Sequence, residues 1–110
     1  MYIFKEEDWK IYRSSIAKWQ ERYIAKLLEE YKSIIDTEDN PASKFWMLEK
    51  RINKDKLCSG VIIEIRRTKM FTQLVDLLDH NVITFEELSP FSPELQEALN
   101  KYMDSLKYGK

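Results

Sequence analysis

The chain has 110 residues, a formal net charge of −1 at pH 7, 44% hydrophobic residues and 34% charged residues. These proportions exclude an intrinsically disordered chain, and the length predicts a single domain spanning residues 1–110. Its one cysteine excludes an internal disulfide, and no apolar run approaches the roughly 20 residues that a membrane-spanning helix needs. We therefore expect a cytoplasmic protein with no membrane partner.

The first predicted element is one long amphipathic helix that begins between Lys5 and Asp8 and ends near Asp36. Its apolar residues recur at steps of three and four, with no Gly or Pro between them, which is the period of a helix that buries one face. Carboxylates at its start complement the positive end of the helix dipole. The apolar stripe consists of Trp9, Tyr12, Ile16, Trp19, Tyr23, Leu27, Tyr31 and Ile34.

Asn40-Pro41 signals the start of a second helix, because Asn caps a helix well and Pro is favoured at the first helical position. We expect this helix to run from Pro41 to about Asp55. Its predicted stripe comprises Phe45, Leu48 and Ile52, widened by Trp46.

Within residues 60–80, the β-branched run from Val61 to Ile65 is ambiguous, because it fits a strand as well as a helix. We favour a helix with Ser59 as its cap, since the sequence offers no convincing second strand and an isolated strand is unstable. Strand remains the alternative for residues 60–66.

The C-terminal part predicts a helix end followed by two helix starts. His80 is placed to cap the end of the third helix, and Asn81 tolerates the left-handed conformation found there. Thr84 and Glu87 match a capping box that opens a short helix, and Ser92-Pro93 begins the last one. The predicted fold is all-α: a small bundle of four to five helices with a long N-terminal amphipathic helix and a C-terminal helical hairpin.

The sequence offers little catalytic chemistry. His80 and Cys58 are single residues of their kinds, too few for a zinc site, and two glycines cannot form a phosphate-binding loop. The paired carboxylates lie in polar contexts typical of solvated faces or caps. We predict a non-enzymatic protein with no catalytic residues, no metal site and no cofactor.

Positive charge is concentrated between Lys44 and Lys69, where the net charge is +5 against −6 in the rest of the chain. Such a segment can bind an anionic partner, and a nucleic-acid-binding accessory or regulatory protein is the alternative function. A basic helix face that is simply solvated is the favoured explanation of the pattern. The candidate anion-binding residues are Lys50, Arg51, Lys54, Arg66, Arg67 and Lys69.

The aromatic stripe of the first helix leads to the favoured functional prediction. At about 1.5 Å per residue the stripe extends roughly 40 Å, which is more than three short helices are expected to cover. Uncovered apolar surface marks an interface, so we expect a protein-interaction or oligomerisation protein that forms a homodimer. The predicted interface consists of Trp9, Tyr12, Ile16, Trp19, Tyr23 and Leu27.

Four segments together resemble a family of small helical proteins of Gram-positive bacteria that has no established activity. They are Trp19-Gln-Glu-Arg-Tyr23, Lys44-Phe-Trp-Met-Leu48, Gly60-Val-Ile-Ile-Glu64 and Val82-Ile-Thr-Phe-Glu-Glu-Leu88. The resemblance implies a bacterial cytoplasmic helical protein and nothing about catalysis. Residues 77–88 are also similar to the helical hairpin of short C-terminal oligomerisation domains, although Asp79-His80-Asn81 departs from the Gly usual there.

Overall fold

The computed structural model describes residues 5–108, with side chains for residues 5–106, and all regular structure in that range is helical. Four α-helices are present: α1 (Glu6–Ile35), α2 (Pro41–Asp55), α3 (Met70–Asp79) and α4 (Pro93–Tyr108). Two 3₁₀ helices, Arg67–Lys69 and Phe85–Leu88, precede α3 and α4. The prediction of an all-α fold with a long N-terminal helix is confirmed.

The predicted bounds of the first two helices are confirmed. Helix α1 has 30 residues, with acidic residues in its first turn. Helix α2 begins where Asn40 Oδ1 accepts a hydrogen bond from the Ser43 backbone N–H at 2.9 Å, with Pro41 at the first helical position. The short connection after Ile35 turns the chain back, so α2 runs antiparallel to the last part of α1.

The core forms around the N-terminal two-thirds of α1. Its aromatic side chains are covered by α3, the second 3₁₀ helix and the start of α4, and the connecting segments fill the gaps. The ring of Tyr12 lies 6.0 Å from that of Trp9 and 6.3 Å from that of Trp19, and Tyr12 is fully buried. Leucines supply the opposing surface: Leu74, Leu77, Leu88, Leu95 and Leu99 are all 0% exposed.

The prediction of a helix over residues 60–80 is wrong in its first half, because residues 62–66 are not helical and α3 begins only at Met70. The strand alternative is not realised in this segment either. Hydrogen bonds at either end of the segment explain the extended backbone. Cys58 lies near Tyr23, whereas Arg67 binds Glu6, so the chain must travel 17 residues back along α1. That distance is about 26 Å; nine extended residues can cover it, whereas nine helical residues span only about 14 Å.

Ser59 does not cap a helix as expected. Its Oγ atom is buried and has no hydrogen-bond partner among the described residues. Its carbonyl oxygen instead accepts a hydrogen bond from Gln20 Nε2 at 3.0 Å, which fastens the turn after α2 to α1.

The turn after α3 follows the sequence prediction closely. His80 is the C-cap of α3, and its Nδ1 lies 2.9 Å from the Asp76 carbonyl oxygen. Asn81 has a φ of 59°, the left-handed conformation expected of it. The capping box is present, with the Thr84 N–H donating to Glu87 Oε2 at 2.8 Å, although the helix that it opens is a four-residue 3₁₀ helix.

A buried carboxylate joins the start of α1 to the start of α4. Asp8 is 1% exposed and accepts hydrogen bonds from the Ser92 backbone N–H at 2.8 Å and from Ser92 Oγ at 2.6 Å. Ser92 Oγ in turn accepts a hydrogen bond from the Leu95 N–H at 3.3 Å, as expected of a helix cap. Asp8 therefore fixes where α4 begins relative to α1.

The molecule is elongated, with extents of 52 × 33 × 22 Å and a radius of gyration of 16.8 Å. A compact domain of this length has a radius of gyration of about 13 Å. The excess arises because residues 24–55, which comprise the last two-fifths of α1, the connection and α2, extend beyond the core cluster. We call this antiparallel helix pair the arm.

We predict that Asp8→Ala lowers the free energy of unfolding by about 2–4 kcal/mol, because Ser92 loses the acceptor for two hydrogen bonds in a buried site. Urea denaturation followed by circular dichroism measures the change. Glu7→Ala, one residue away and exposed, is the control and should cost less than about 0.5 kcal/mol. Equal losses in the two variants would contradict the role given to Asp8.

We predict that Gly60→Ala also destabilises the protein, here by overpacking. A methyl group at residue 60 would overlap the ring of Tyr23 and come within 2.8 Å of Val82 Cγ2. Overpacking of this kind costs about 1–3 kcal/mol, measurable as a lower urea midpoint. Ser89→Ala, in an exposed turn, is the control and should leave the midpoint unchanged. An unchanged midpoint for Gly60→Ala would contradict the prediction, because it would mean that Tyr23 and Val82 move aside without cost.

Candidate functional site

The predicted interface of α1 lies inside a single copy of the chain. Five of its six residues are at most 8% exposed: Trp9, Tyr12, Ile16, Trp19 and Leu27; the sixth, Tyr23, is partly buried against the core. This placement corrects the expectation that they join two subunits. The sequence argument compared the stripe with helices alone, whereas the extended segment and the turns complete its cover.

The six candidate anion-binding residues form two separate groups. Arg51 binds Glu30, and Arg67 binds Glu6, so the two groups lie at positions 24 residues apart on α1. That separation is about 36 Å along the helix axis. All three arginines already pair with carboxylates, since Arg66 binds Glu64 at 2.6 Å. Lys50, Lys54 and Lys69 are exposed, but the six residues do not form one patch.

The largest exposed apolar side chains occur instead on the arm. Helix α2 contributes no fully buried residue, and Phe45 and Trp46 are 63% and 61% exposed. Their rings pack edge to face at 5.0 Å, so they form one aromatic unit at the surface. The predicted stripe of α2 is therefore mostly solvent-facing, with Leu48 alone half-buried.

A network of polar contacts holds α2 against α1. Tyr31 Oη donates a hydrogen bond to Asp55 Oδ2 at 2.6 Å. Arg51 binds Glu30 at 2.8 Å and Asp55 at 3.3 Å, and its guanidinium lies 5.6 Å from the centre of the Tyr31 ring. Burial, reinforced by the hydrogen bond to Asp55, raises the pKa of Tyr31 to about 12. The arm thus keeps its shape through specific polar contacts more than through a core of its own.

Five positions of α2 are half-buried, and the four of them at helical spacing mark the line that faces α1: Lys44, Leu48, Arg51 and Asp55; the fifth, Ser43, is in the capped first turn. Because successive helical residues are rotated by 100°, the residues one position earlier and one position later lie on opposite sides of that line. The earlier set is Met47, Lys50 and Lys54. The later set is Phe45, Glu49 and Ile52. The two sides of the arm therefore differ in chemistry.

The first side carries what we call the apolar flank: Leu28, Ile35, Phe45 and Ile52. On α1 the line facing α2 runs through Leu27 and Ile34, so Leu28 and Ile35 follow it by one position. In an antiparallel helix pair, the residues one position after the contact line of each helix lie on the same side of the pair. All four side chains are 42–63% exposed. Lys32 and Glu49 occupy the middle positions, each four residues after one apolar residue and three before the next.

The second side carries a groove of about 450 Å³ that we call the basic groove. It is lined by Ile34, Met47, Lys50, Arg51 and Lys54. A neighbouring hollow of about 480 Å³ continues over the outer face of α2, where Trp46 and Asp39 join Met47 and Lys50. The apolar part of the groove comes from Ile34 and Met47, and the cationic part from α2.

Sequence reasoning missed both surfaces of the arm because it assigned the stripe of α2 to the core. A signal was present, since Leu28–Lys32–Ile35 and Phe45–Glu49–Ile52 repeat one pattern with charges of opposite sign. Only the position of α2 relative to α1 distinguishes an apolar flank from a core stripe.

We predict that Tyr31→Phe loosens the arm by about 0.5–1.5 kcal/mol, because Asp55 loses its hydrogen-bond donor. Faster amide exchange in α2, with no change in α3, measures this effect. In the native chain the raised pKa of Tyr31 means that its contribution is complete below pH 10. The contribution is lost as the pH rises through about 12. Uniform acceleration of exchange over all helices would contradict a local role.

Among the described residues, no helix is long and apolar enough to cross a membrane, and no cluster of His, Cys, Asp and Glu is arranged to hold a metal ion. Comparisons with protein-family models, with curated proteins and with solved structures give no significant match.

Proposed function

We propose that this chain is a non-enzymatic protein-interaction protein that forms a homodimer through the apolar flank of its arm. The observation that carries the proposal is the exposure of Leu28, Ile35, Phe45 and Ile52 on one side of a helix pair. The resemblance to helical proteins of Gram-positive bacteria supports a bacterial cytoplasmic setting for this role.

The size of the flank suits an interface. Aromatic side chains offer about 150–250 Å² each and Leu and Ile fall near the lower end of that range, so the four exposed fractions amount to roughly 300–400 Å² of apolar surface. Patches of that size on a monomer are often functional. The flank alone is about half of the roughly 800 Å² that each partner contributes to a standard interface, so polar residues around it have to supply the rest.

Charge favours a second copy as the occupant. Lys32 and Glu49 lie in the middle of the flank, one on each helix, and neither has an ion-pair partner among the described residues. In a two-fold interface, residue i of one copy meets residue j of the other, and j meets i. Lys32 of each copy can then face Glu49 of its partner, which gives two ion pairs within an apolar contact.

The architecture favours the same occupant. Two antiparallel helix pairs that pack flank to flank form a four-helix bundle, in which the exposed stripe of every helix becomes enclosed. The globular end of each copy, with its C-terminal helical hairpin, would lie outside that bundle. The dimer would therefore complete for the arm the core that a single copy lacks.

The alternative function, nucleic-acid binding by the basic segment, has weaker support. Its six residues lie in two groups about 36 Å apart along α1, and the three arginines are paired with carboxylates.

We predict that the double variant Phe45→Glu with Ile52→Glu stays folded and becomes monomeric. Both side chains are exposed in one copy, so the substitutions spare the core, whereas four like charges would meet in the dimer. Sedimentation equilibrium should show a dissociation constant on the order of micromolar for the native chain, and no dimer for the variant.

The matched control is Ile62→Glu, which changes another exposed apolar residue, 66% exposed, outside the arm. It should dimerise like the native chain. The native chain remaining monomeric at high micromolar concentration would overturn the proposal. Trp19 is unsuitable as a probe, because it is 4% exposed and its substitution would unfold the monomer.

A further inference from the structure

The basic groove on the other side of the arm has the composition of a docking site for a helix. Its apolar lining comes from Ile34 and Met47, and it lies between two antiparallel helices, where a third helix can pack along their length. Trp46 extends the apolar surface over the outer face of α2. The proposed dimer does not use this side of the arm.

The cations of the groove differ in whether they already form ion pairs within the chain. Arg51 binds both Glu30 and Asp55. Lys50 and Lys54 are exposed and have no ion-pair partner among the described residues. They stand one helical turn apart, about 6 Å along the axis, which matches carboxylates spaced by one turn on a partner helix.

The same residues disfavour a nucleic acid in this groove. Glu30 and Asp55 engage Arg51, which leaves only two unpaired cations, Lys50 and Lys54, among the described residues of the groove. Phosphate backbones bind through several unpaired cations, and an apolar floor offers them nothing. A partner with both apolar and acidic residues uses the floor as well as the two lysines.

We propose that the basic groove binds an acidic amphipathic helix of a partner protein, with apolar residues against Ile34 and Met47 and carboxylates against Lys50 and Lys54. The proposal rests on the arm being an interaction element and does not require the dimer. The monomeric variant Phe45→Glu with Ile52→Glu should therefore retain the binding.

The test uses a labelled synthetic helix of about 18 residues with Leu at positions i, i+3, i+4 and i+7 and Glu beside them. Fluorescence anisotropy should show saturable binding to the native chain and to the monomeric variant. The variant Lys50→Glu with Lys54→Glu should weaken binding at least about tenfold, since two attractive charges become repulsive.

The matched control is Lys10→Glu with Lys69→Glu, which makes the same change in net charge at exposed positions outside the arm. It should bind the helix like the native chain. Equal weakening in both double variants, or equal binding of a scrambled peptide of the same composition, would overturn the proposal. Tighter binding of a single-stranded oligonucleotide than of the peptide would overturn it in favour of a nucleic-acid partner.

If binding persists in the variant Phe45→Glu with Ile52→Glu but the native chain never dimerises, the inference stands and the proposed dimer fails. If the native chain dimerises but does not bind the helix, the proposed dimer stands and the inference about the basic groove fails. The two results therefore separate the two proposals.

Discussion

The burial of one face of α1 is the constraint on which the rest of the structure depends. A helix of 30 residues is about 45 Å long, and its apolar stripe must be covered along most of that length. The two ends of this stripe are covered to different extents. Near Trp9 and Tyr12 the cover is complete, because α3, α4 and the turns between them converge there. Beyond Leu27, helix α2 covers one line of α1, through contacts such as Tyr31 with Asp55 and Glu30 with Arg51.

This unequal cover explains why large apolar side chains of both helices of the arm are exposed. Two antiparallel helices can shield only the line along which they touch, so the residues beside that line face solvent. Leu27 is buried while Leu28, the next residue, is 59% exposed. The polar network of Tyr31, Arg51 and Asp55 keeps the two helices in register without enlarging the apolar contact. The arm therefore presents a fixed surface, which suits recognition.

The two sides of the arm differ in the charges that they carry. The apolar flank carries one charge of each sign, Lys32 and Glu49, whereas the basic groove carries the exposed cations Lys50 and Lys54 beside the paired Arg51. Ties such as Asp8 with Ser92, and Arg22 with Glu87, anchor α1 to the globular end. The carboxylate of Glu87 is partly buried, yet hydrogen bonds from Arg22 and the Thr84 N–H lower its pKa.

The sequence determined those elements that depend on contacts between residues close together in the chain. The Asn40 and Ser92 caps, the Thr84 capping box and the left-handed Asn81 depend on neighbours within a few residues, so they could be predicted, as could the length of α1. The tertiary structure alone decided the rest. Residues 62–66 are extended because the chain must return along α1, a distance that no local pattern encodes. Likewise, Phe45 and Ile52 have the spacing of a core stripe, and only the number of elements packed around α2 leaves them at the surface. Periodicity identifies which face of a helix is apolar, but what covers that face depends on the whole fold.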